Sequence, residues 1–323
     1  MIQEIKKSTA DYILGNSAKQ INSQGGVSML LRYIVKNFKS IGYPIEFAMF
    51  PTKGNNDNHS LKTIATRVGE WKVLQRSALF GSNTSGKASF VESIDFARNY
   101  IVSKPQNEQD AGIKRFIQAL ERLDKISAFQ FMLYLDGEVY EYGFSLDCRQ
   151  ISEEWLLQLK EDDFQFLYTR MTNEDSGTII DVDAQFQRIN PQIQTLADTF
   201  EYDIPKNQLF LQKMHENGIE PANRIVSWFE RLQIICPDET SQTRATQISL
   251  NAESDLEQTL FVARDANLIA DFQQDEIWFV GKNQLGKTTL KPLSDFGVKK
   301  GRDVLKAYLC GRYGVTPEKS QTL

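Results

Sequence analysis

Apolar residues are spaced in two rhythms along this chain. Residues 29–35 form a near-continuous apolar run, and Ile45-Glu46-Phe47-Ala48-Met49-Phe50 alternates with period two; both patterns predict strands. A polar loop rich in Asn, Gly and Asp covers 52–60, and 72–80 predicts a further strand. Phe90, Ile94, Ala97 and Ile101 then recur at helical spacing and predict a helix over 89–101. A second helix is predicted over 111–126. Residues 129–135 and 138–146 alternate on either side of Asp136-Gly137, a dipeptide suited to a two-residue hairpin turn. Residues 151–159 read as a strand or a short helix, and 161–185 as edge strands, with 178–182 the most apolar. From Asn190 to Leu232 the spacing turns helical, with Trp228, Phe229 and Leu232 as a core stripe. Residues 258–262 and 275–280 are short apolar strands, while 238–258 carry no readable period. The polar N-terminal stretch holds a weak helix at 3–14 and a flexible joint at 22–26; a frayed terminus and a docking arm both fit it.

Between the strand ending at Phe80 and the helix stands Gly81-Ser82-Asn83-Thr84-Ser85-Gly86-Lys87-Ala88-Ser89. The order is that of a phosphate-cradling loop, G-x-x-x-x-G-K-[ST], met at every position except Ala88. Gly81 and Gly86 let the backbone turn tightly and approach a phosphate without a Cβ in the way. Successive N–H groups then face one concavity, and the helix start adds its dipole. Lys87 is placed to reach the outer phosphates as a compact cation. The hydroxyl that normally meets Mg²⁺ is missing at Ala88. Ser89 lies about 100° further round the helix, which makes it a poor substitute.

A second match, Gly281-Lys282-Asn283-Gln284-Leu285-Gly286-Lys287-Thr288, is complete by letter. Its context is wrong, because Thr289-Leu290-Lys291-Pro292 is β-like and then broken by proline. Residues 276–293 are expected to form a β-hairpin with a polar turn.

Composition narrows the class. At 323 residues, with 41% apolar and 11% aromatic residues, the chain holds enough apolar side chains for one large or two ordinary cores. A net charge of −5 gives no global pull toward nucleic acid or membrane. Cys148, Cys236 and Cys310 are far apart and without metal-ligand spacing, and the only histidines are His59 and His215. A reduced, cytoplasmic protein is expected. No apolar run approaches the ~20 residues of a spanning helix, and no signal-peptide core opens the chain, so no membrane partner is expected. Lys299, Lys300, Arg302 and Lys306 cluster near the C-terminus; nucleic-acid contact and a solvated surface both remain open. No G-x-S-x-G elbow, H-E-x-x-H helix or Cys–His arrangement supports another enzyme class. The acid pairs Glu153-Glu154 and Asp162-Asp163 are expected to be solvated.

Several stretches together carry a family likeness. Residues 29–41 resemble the opening strand of the ABC-type AAA ATPases of the AbiLii/OLD group. The loop at 80–89, including Asn83, resembles that group's G-x-N-x-S-G-K-S. Glu141-Tyr142-Gly143-Phe144-Ser145-Leu146 and Glu153-Glu154-Trp155-Leu156 are similar to its β-subdomain. Ile277-Trp278-Phe279-Val280, Leu293-Ser294-Asp295-Phe296 and Gly311-Arg312-Tyr313-Gly314 are similar to its closing segment, so the likeness spans 29–317. The resemblance implies an α/β fold: an ABC-ATPase-like head with a mixed sheet and P-loop, an antiparallel β-subdomain and a helical insertion. The corresponding division is an extension (1–28), the P-loop half of the head (29–110), the β-subdomain with a flanking helix (111–188), the insertion (189–258) and the closing part of the head (259–323).

The same resemblance implies ATP as cofactor, held by Gly81, Ser82, Asn83, Thr84, Ser85, Gly86, Lys87, Ala88 and Ser89. It also implies a homo-oligomer through the ATPase heads and a place in prokaryotic antiphage defence beside an effector partner, a nuclease or toxin. Mg²⁺ is left in doubt by Ala88. The family's signature loop and its Walker B strand ending in Asp-Glu are not found, and Arg264 occupies the place of its switch histidine. Three readings follow. The first is a nucleotide-binding regulator or scaffold with little hydrolysis of its own. The second is an ATPase completed by a partner subunit, and the third a purely structural pseudo-ATPase.

Overall fold

The computed structural model describes residues 27–52, 60–103, 126–147, 149–160, 163–173, 177–203, 206–235, 245–250, 258–298 and 303–315. The helix expected at 3–14, all but Ile126 of the one expected over 111–126, and Lys299, Lys300 and Arg302 lie outside the described residues. The fold is mixed α/β, with antiparallel and mixed sheets and few helices. Among the described residues, no helix is long and apolar enough to cross a membrane, which says nothing of β-barrels. The chain divides into two compact units: 1–30, 63–71 and 96–230 in the first; 31–62, 72–95 and 231–323 in the second.

The first unit is built on an antiparallel meander. It runs β6 (Ser127–Leu135), β7 (Glu138–Leu146), β8 (Ile151–Lys160), β9 (Asp163–Asn173) and β10 (Gly177–Val182), each beside its sequence neighbour. The Asp136-Gly137 turn joins β6 to β7 as the sequence predicts, with φ of 52° and 90°, the positive values such a turn needs. Residues 151–159, open between strand and helix, are strand, and β10 is the end strand of the meander. Against it pack α2 (Ala184–Ile189), α3 (Gln192–Asp203), α4 (Phe210–Glu216) and α5 (Ala222–Arg231). Asp183 caps α2 by accepting from the N–H groups of Gln185 and Phe186, both at 2.9 Å. Trp228, Phe229 and Leu232 are buried, and Phe131 meets Phe229 edge-on at 4.8 Å. The stripe is core.

Close packing sets one residue here. A Cβ on Gly143 would stand 2.3 Å from the Trp155 ring and 3.0 Å from the Phe129 carbonyl oxygen. Gly143→Ala is expected to destabilise the chain by about 1–3 kcal/mol through overpacking, read as a lower denaturant midpoint at unchanged slope. An unchanged midpoint would contradict the packing.

Glu154 departs from the sequence expectation. It is fully buried, not solvated. Its carboxylate accepts from Tyr142 (3.1 Å), Tyr168 (2.8 Å) and the N–H groups of Phe210 (2.7 Å) and Leu211 (2.9 Å) at the start of α4. Arg170 lies 3.5 Å away and itself donates to the carbonyls of Gln208 and, at 3.0 Å, Lys206. The pattern reading failed because a strand residue facing the core is recognised as apolar or polar, not by the partners that wait for it. Burial raises the hydroxyl pKa of Tyr142 and Tyr168 well above the usual tyrosine value, so both stay protonated donors.

The second unit holds the sheet that positions the candidate site. Its order is β11 (Gln233–Ile235), β12 (Ala245–Ser249), β13 (Thr259–Ala263), β5 (Arg76–Phe80), β14 (Ile277–Lys282) and β15 (Thr288–Pro292). Strands β13 and β14 flank β5, both parallel to it; the outer pairs are antiparallel. The stretch without a readable period thus supplies β12. The predicted run 72–80 is broken in two: β3 (Leu61–Thr66) and β4 (Gly69–Leu74) form their own two-stranded sheet, and β5 begins after Gln75. Also in this unit, the Arg32–Val35 part of β1 (Ser28–Lys36) pairs antiparallel with β2 (Ile45–Ala48). The helix after the loop, α1, runs Lys87–Val102, with Phe90, Ile94, Ala97 and Ile101 buried as predicted. Phe90 sits edge-on to Tyr33 at 5.6 Å and to Phe47 at 5.9 Å, and Tyr33 donates to Ser93 at 2.9 Å. These contacts fix the start of α1 beside β1 and β2.

Candidate functional site

The nine residues of the glycine-bounded loop stand together at one end of the parallel strands. Gly81 follows the last residue of β5, and Lys87 opens α1. Parallel strands lie on both sides of β5, so the loop opens outside their carboxyl ends, where open α/β sheets hold ligands. Phe90 N–H to Gly86 O, at 3.1 Å, is an early rung of the α1 ladder; the amides before it point out of the helix start.

Each loop residue has a distinct place. A Cβ on Gly81 would stand 2.3 Å from the Val280 carbonyl oxygen and 2.7 Å from Ser85 Oγ, so close approach requires glycine there. Gly86 takes φ +109°, and a Cβ on it would fall 2.1 Å from Thr288 Oγ1. Asn83 and Thr84 are exposed at the tip, and Ser82 is half-buried. Ser85 is buried, and its Oγ has no hydrogen-bond partner among the described residues. Lys87 is buried too; its ammonium donates to the carbonyls of Gly81 and, at 3.0 Å, Ser82. Ala88 presents its methyl to solvent. Ser89 is half-buried on the flank, where Ser40 Oγ donates to its Oγ at 2.8 Å.

Aromatic packing supports the loop from below. Phe80 meets Tyr308 of α6 (Val304–Leu309) edge-on at 6.1 Å, and Phe279 stacks on Tyr313 at 4.7 Å. The Tyr308 hydroxyl is pushed up to about 12, chiefly by burial, while a hydrogen bond with the Gly81 backbone opposes the rise. The phenol therefore ties α6 to the first residue of the loop.

The second motif forms the hairpin that its context predicts. β14 and β15 pair antiparallel, and Asn283 Oδ1 accepts from Leu285 and Lys287 N–H, both at 2.9 Å, to shape the turn. No helix follows. The structure adds a contact that neither motif revealed: Thr288, the hairpin residue against Gly86, binds Ser40 through hydroxyls at 2.7 Å and accepts from Lys282 at 3.2 Å. A hydrogen-bonded row thus runs Lys282, Thr288, Ser40, Ser89 along the flank of the loop. Sequence spacing carries no signal for it, because Ser40 and Thr288 are 248 positions apart.

Charges of both signs stand at this edge: Asp265 caps the turn after Arg264, accepting from Asn267 N–H at 2.9 Å, and Glu92 pairs with Lys39 at 2.8 Å. Arg264 is exposed two residues beyond Val262, which pairs with Leu79, and so stands level with Gly81. By contrast, Asp275 and Glu276 lie before β14, at the opposite end of the sheet. There Glu276 is fully buried and accepts from Ser60, from Arg76 at 3.2 Å and from the Gln273 N–H at 2.8 Å. Its position excludes it from the loop. Among the described residues, no group of three or more His, Cys, Asp or Glu is placed to hold a metal ion. Cys310 is a free, exposed thiol, and His215 Nδ1 is paired with Asn223 Oδ1 at 2.8 Å. Lys306, the described member of the basic cluster, lies on α6.

No protein-family model matches the chain, and no curated protein matches it.

Proposed function

We propose that this protein binds a nucleotide, ATP, through residues 81–89 of a P-loop head, and that it hydrolyses it weakly or not at all on its own. The observation that carries the reading is the strand–loop–helix unit. Gly81–Lys87 joins the carboxyl end of a central parallel strand to the start of a 16-residue helix, with an exposed tip and a lysine folded into the turn. Backbone amides at a helix start, together with a lysine, suit an anionic phosphate chain. Support for weak turnover comes from the methyl of Ala88 and from Glu276, which lies at the far end of the sheet. Activation of the attacking water requires a carboxylate in place.

The role as regulator or scaffold in a prokaryotic antiphage-defence complex rests on the sequence resemblance alone. So do self-association through the heads and an effector partner.

Equilibrium titration with ATP tests the reading. Lys87→Ala is expected to weaken binding about 10- to 100-fold, the worth of a hydrogen bond to a charged group. Steady-state turnover of the wild type is expected well below ~1 s⁻¹, the low end of ordinary enzymes. Binding unaffected by Lys87→Ala, or no binding at all, would leave the structural pseudo-ATPase. Turnover above that rate, abolished by Lys87→Ala, would establish an ATPase.

A further inference from the structure

The geometry points to a phosphate site in which Lys282 and Lys287 of the β14–β15 hairpin take the place of a divalent cation, so that the ligand is free ATP and not its Mg²⁺ complex. This rests on the nucleotide-binding reading above and deepens it.

The residues present do not fit Mg²⁺. Position 88 offers a methyl, and the next hydroxyl, on Ser89, is turned to the flank and bonded to Ser40. The hairpin instead brings cations to the same flank. Lys282 reaches Thr288 Oγ1, and Thr288 packs directly on Gly86. Lys287 lies close by, its methylenes over Gly42: a Cβ on that glycine would meet Lys287 Cδ at 2.9 Å. Burial lowers the pKa of Lys282, and the positive charge of Lys287 lowers it further. Among the described residues neither lysine has an ion-pair partner.

Like charges held together without a counter-ion cost free energy, and an anion between them removes that cost. Ser85 adds a second sign of a ligand site, a buried hydroxyl within the loop that lacks a partner. Helix start, Lys87, Lys282 and Lys287 all favour negative charge, and a doubly charged metal added there would be repelled. Lysines neutralise the outer phosphates but hold no water for attack, so this substitution also fits slow hydrolysis.

The test measures ATP binding to the purified full chain by calorimetry, once in EDTA and once with excess MgCl₂. Binding in EDTA is expected to match or exceed that in Mg²⁺. Replacing both lysines, Lys282→Gln with Lys287→Gln, is expected to weaken binding in EDTA at least ~10-fold, with little change in thermal midpoint because Lys282 is exposed, Lys287 is only half-buried, and glutamine keeps part of each methylene stem. Strict dependence on Mg²⁺, or unchanged affinity in the double variant, would overturn the substitution while leaving nucleotide binding intact. No binding in either buffer would overturn both.

Discussion

Glu154→Ala is expected to destabilise the protein by about 3–5 kcal/mol, enough to remove a large part of the stability of an ordinary domain. Alanine would leave the Arg170 guanidinium buried without its counter-charge, along with two tyrosine hydroxyls and two N–H groups at the start of α4. Burial already lowers the Arg170 pKa, and Glu154 is the chief opposing influence. The cation also lies over the Phe200 ring at 5.0 Å, which does not replace a carboxylate. Urea denaturation reads the change. A second variant separates the ion pair from the other hydrogen bonds: Glu154→Leu with Arg170→Met removes both charges and is expected to recover the part of the loss due to the unpaired guanidinium, but not the part due to the tyrosine hydroxyls and N–H groups left without an acceptor. Loss below ~1 kcal/mol in Glu154→Ala would show that the carboxylate is not the pin it is taken to be.

Gly86→Ala carries the second large effect. Backbone at φ +109° is strained for any residue with a Cβ, at a cost of about 1–3 kcal/mol. The new methyl would also collide with Thr288, whose hydroxyl is held by Ser40 and Lys282. A further 1–3 kcal/mol of overpacking is expected, about 2–6 kcal/mol together, with loss of measurable ATP binding. Adding Thr288→Ala removes Oγ1 and Cγ2, the two closest atoms, but leaves Cβ at 2.9 Å, and is expected to return most of the steric part of the stability but not the part due to φ. Wild-type stability and ATP affinity in Gly86→Ala would refute this account of the loop.

Both predictions concern residues that the sequence presents very differently. Gly86 was legible, because the loop is a local motif whose glycines, lysine and following helix all lie within a few positions. Its neighbour Thr288 was not. The hairpin around it was expected, but its place beside the loop depends on β14 pairing parallel to β5 across nearly 200 positions. Glu154 reads as one of two adjacent acids on a strand. Only the helix start of α4, more than 50 positions later, converts that acid into a buried anchor. In the same way, Gln75 divides an apolar run into β4 and β5 because the two halves join different sheets.

Sequence alone determined the strand–loop–helix order around residues 81–89, the Asp136-Gly137 hairpin, the core stripe of Trp228, Phe229 and Leu232, and a hairpin within 276–293, though not their exact bounds. These follow from backbone preferences and side-chain period, which act between near neighbours. Tertiary structure alone decided the order β13-β5-β14, the row from Lys282 to Ser89 and the burial of Glu154. Those outcomes depend on which distant surfaces meet. Apolar burial, which drives that meeting, is non-directional: its period marks which face of an element is covered, but not which distant surface covers it.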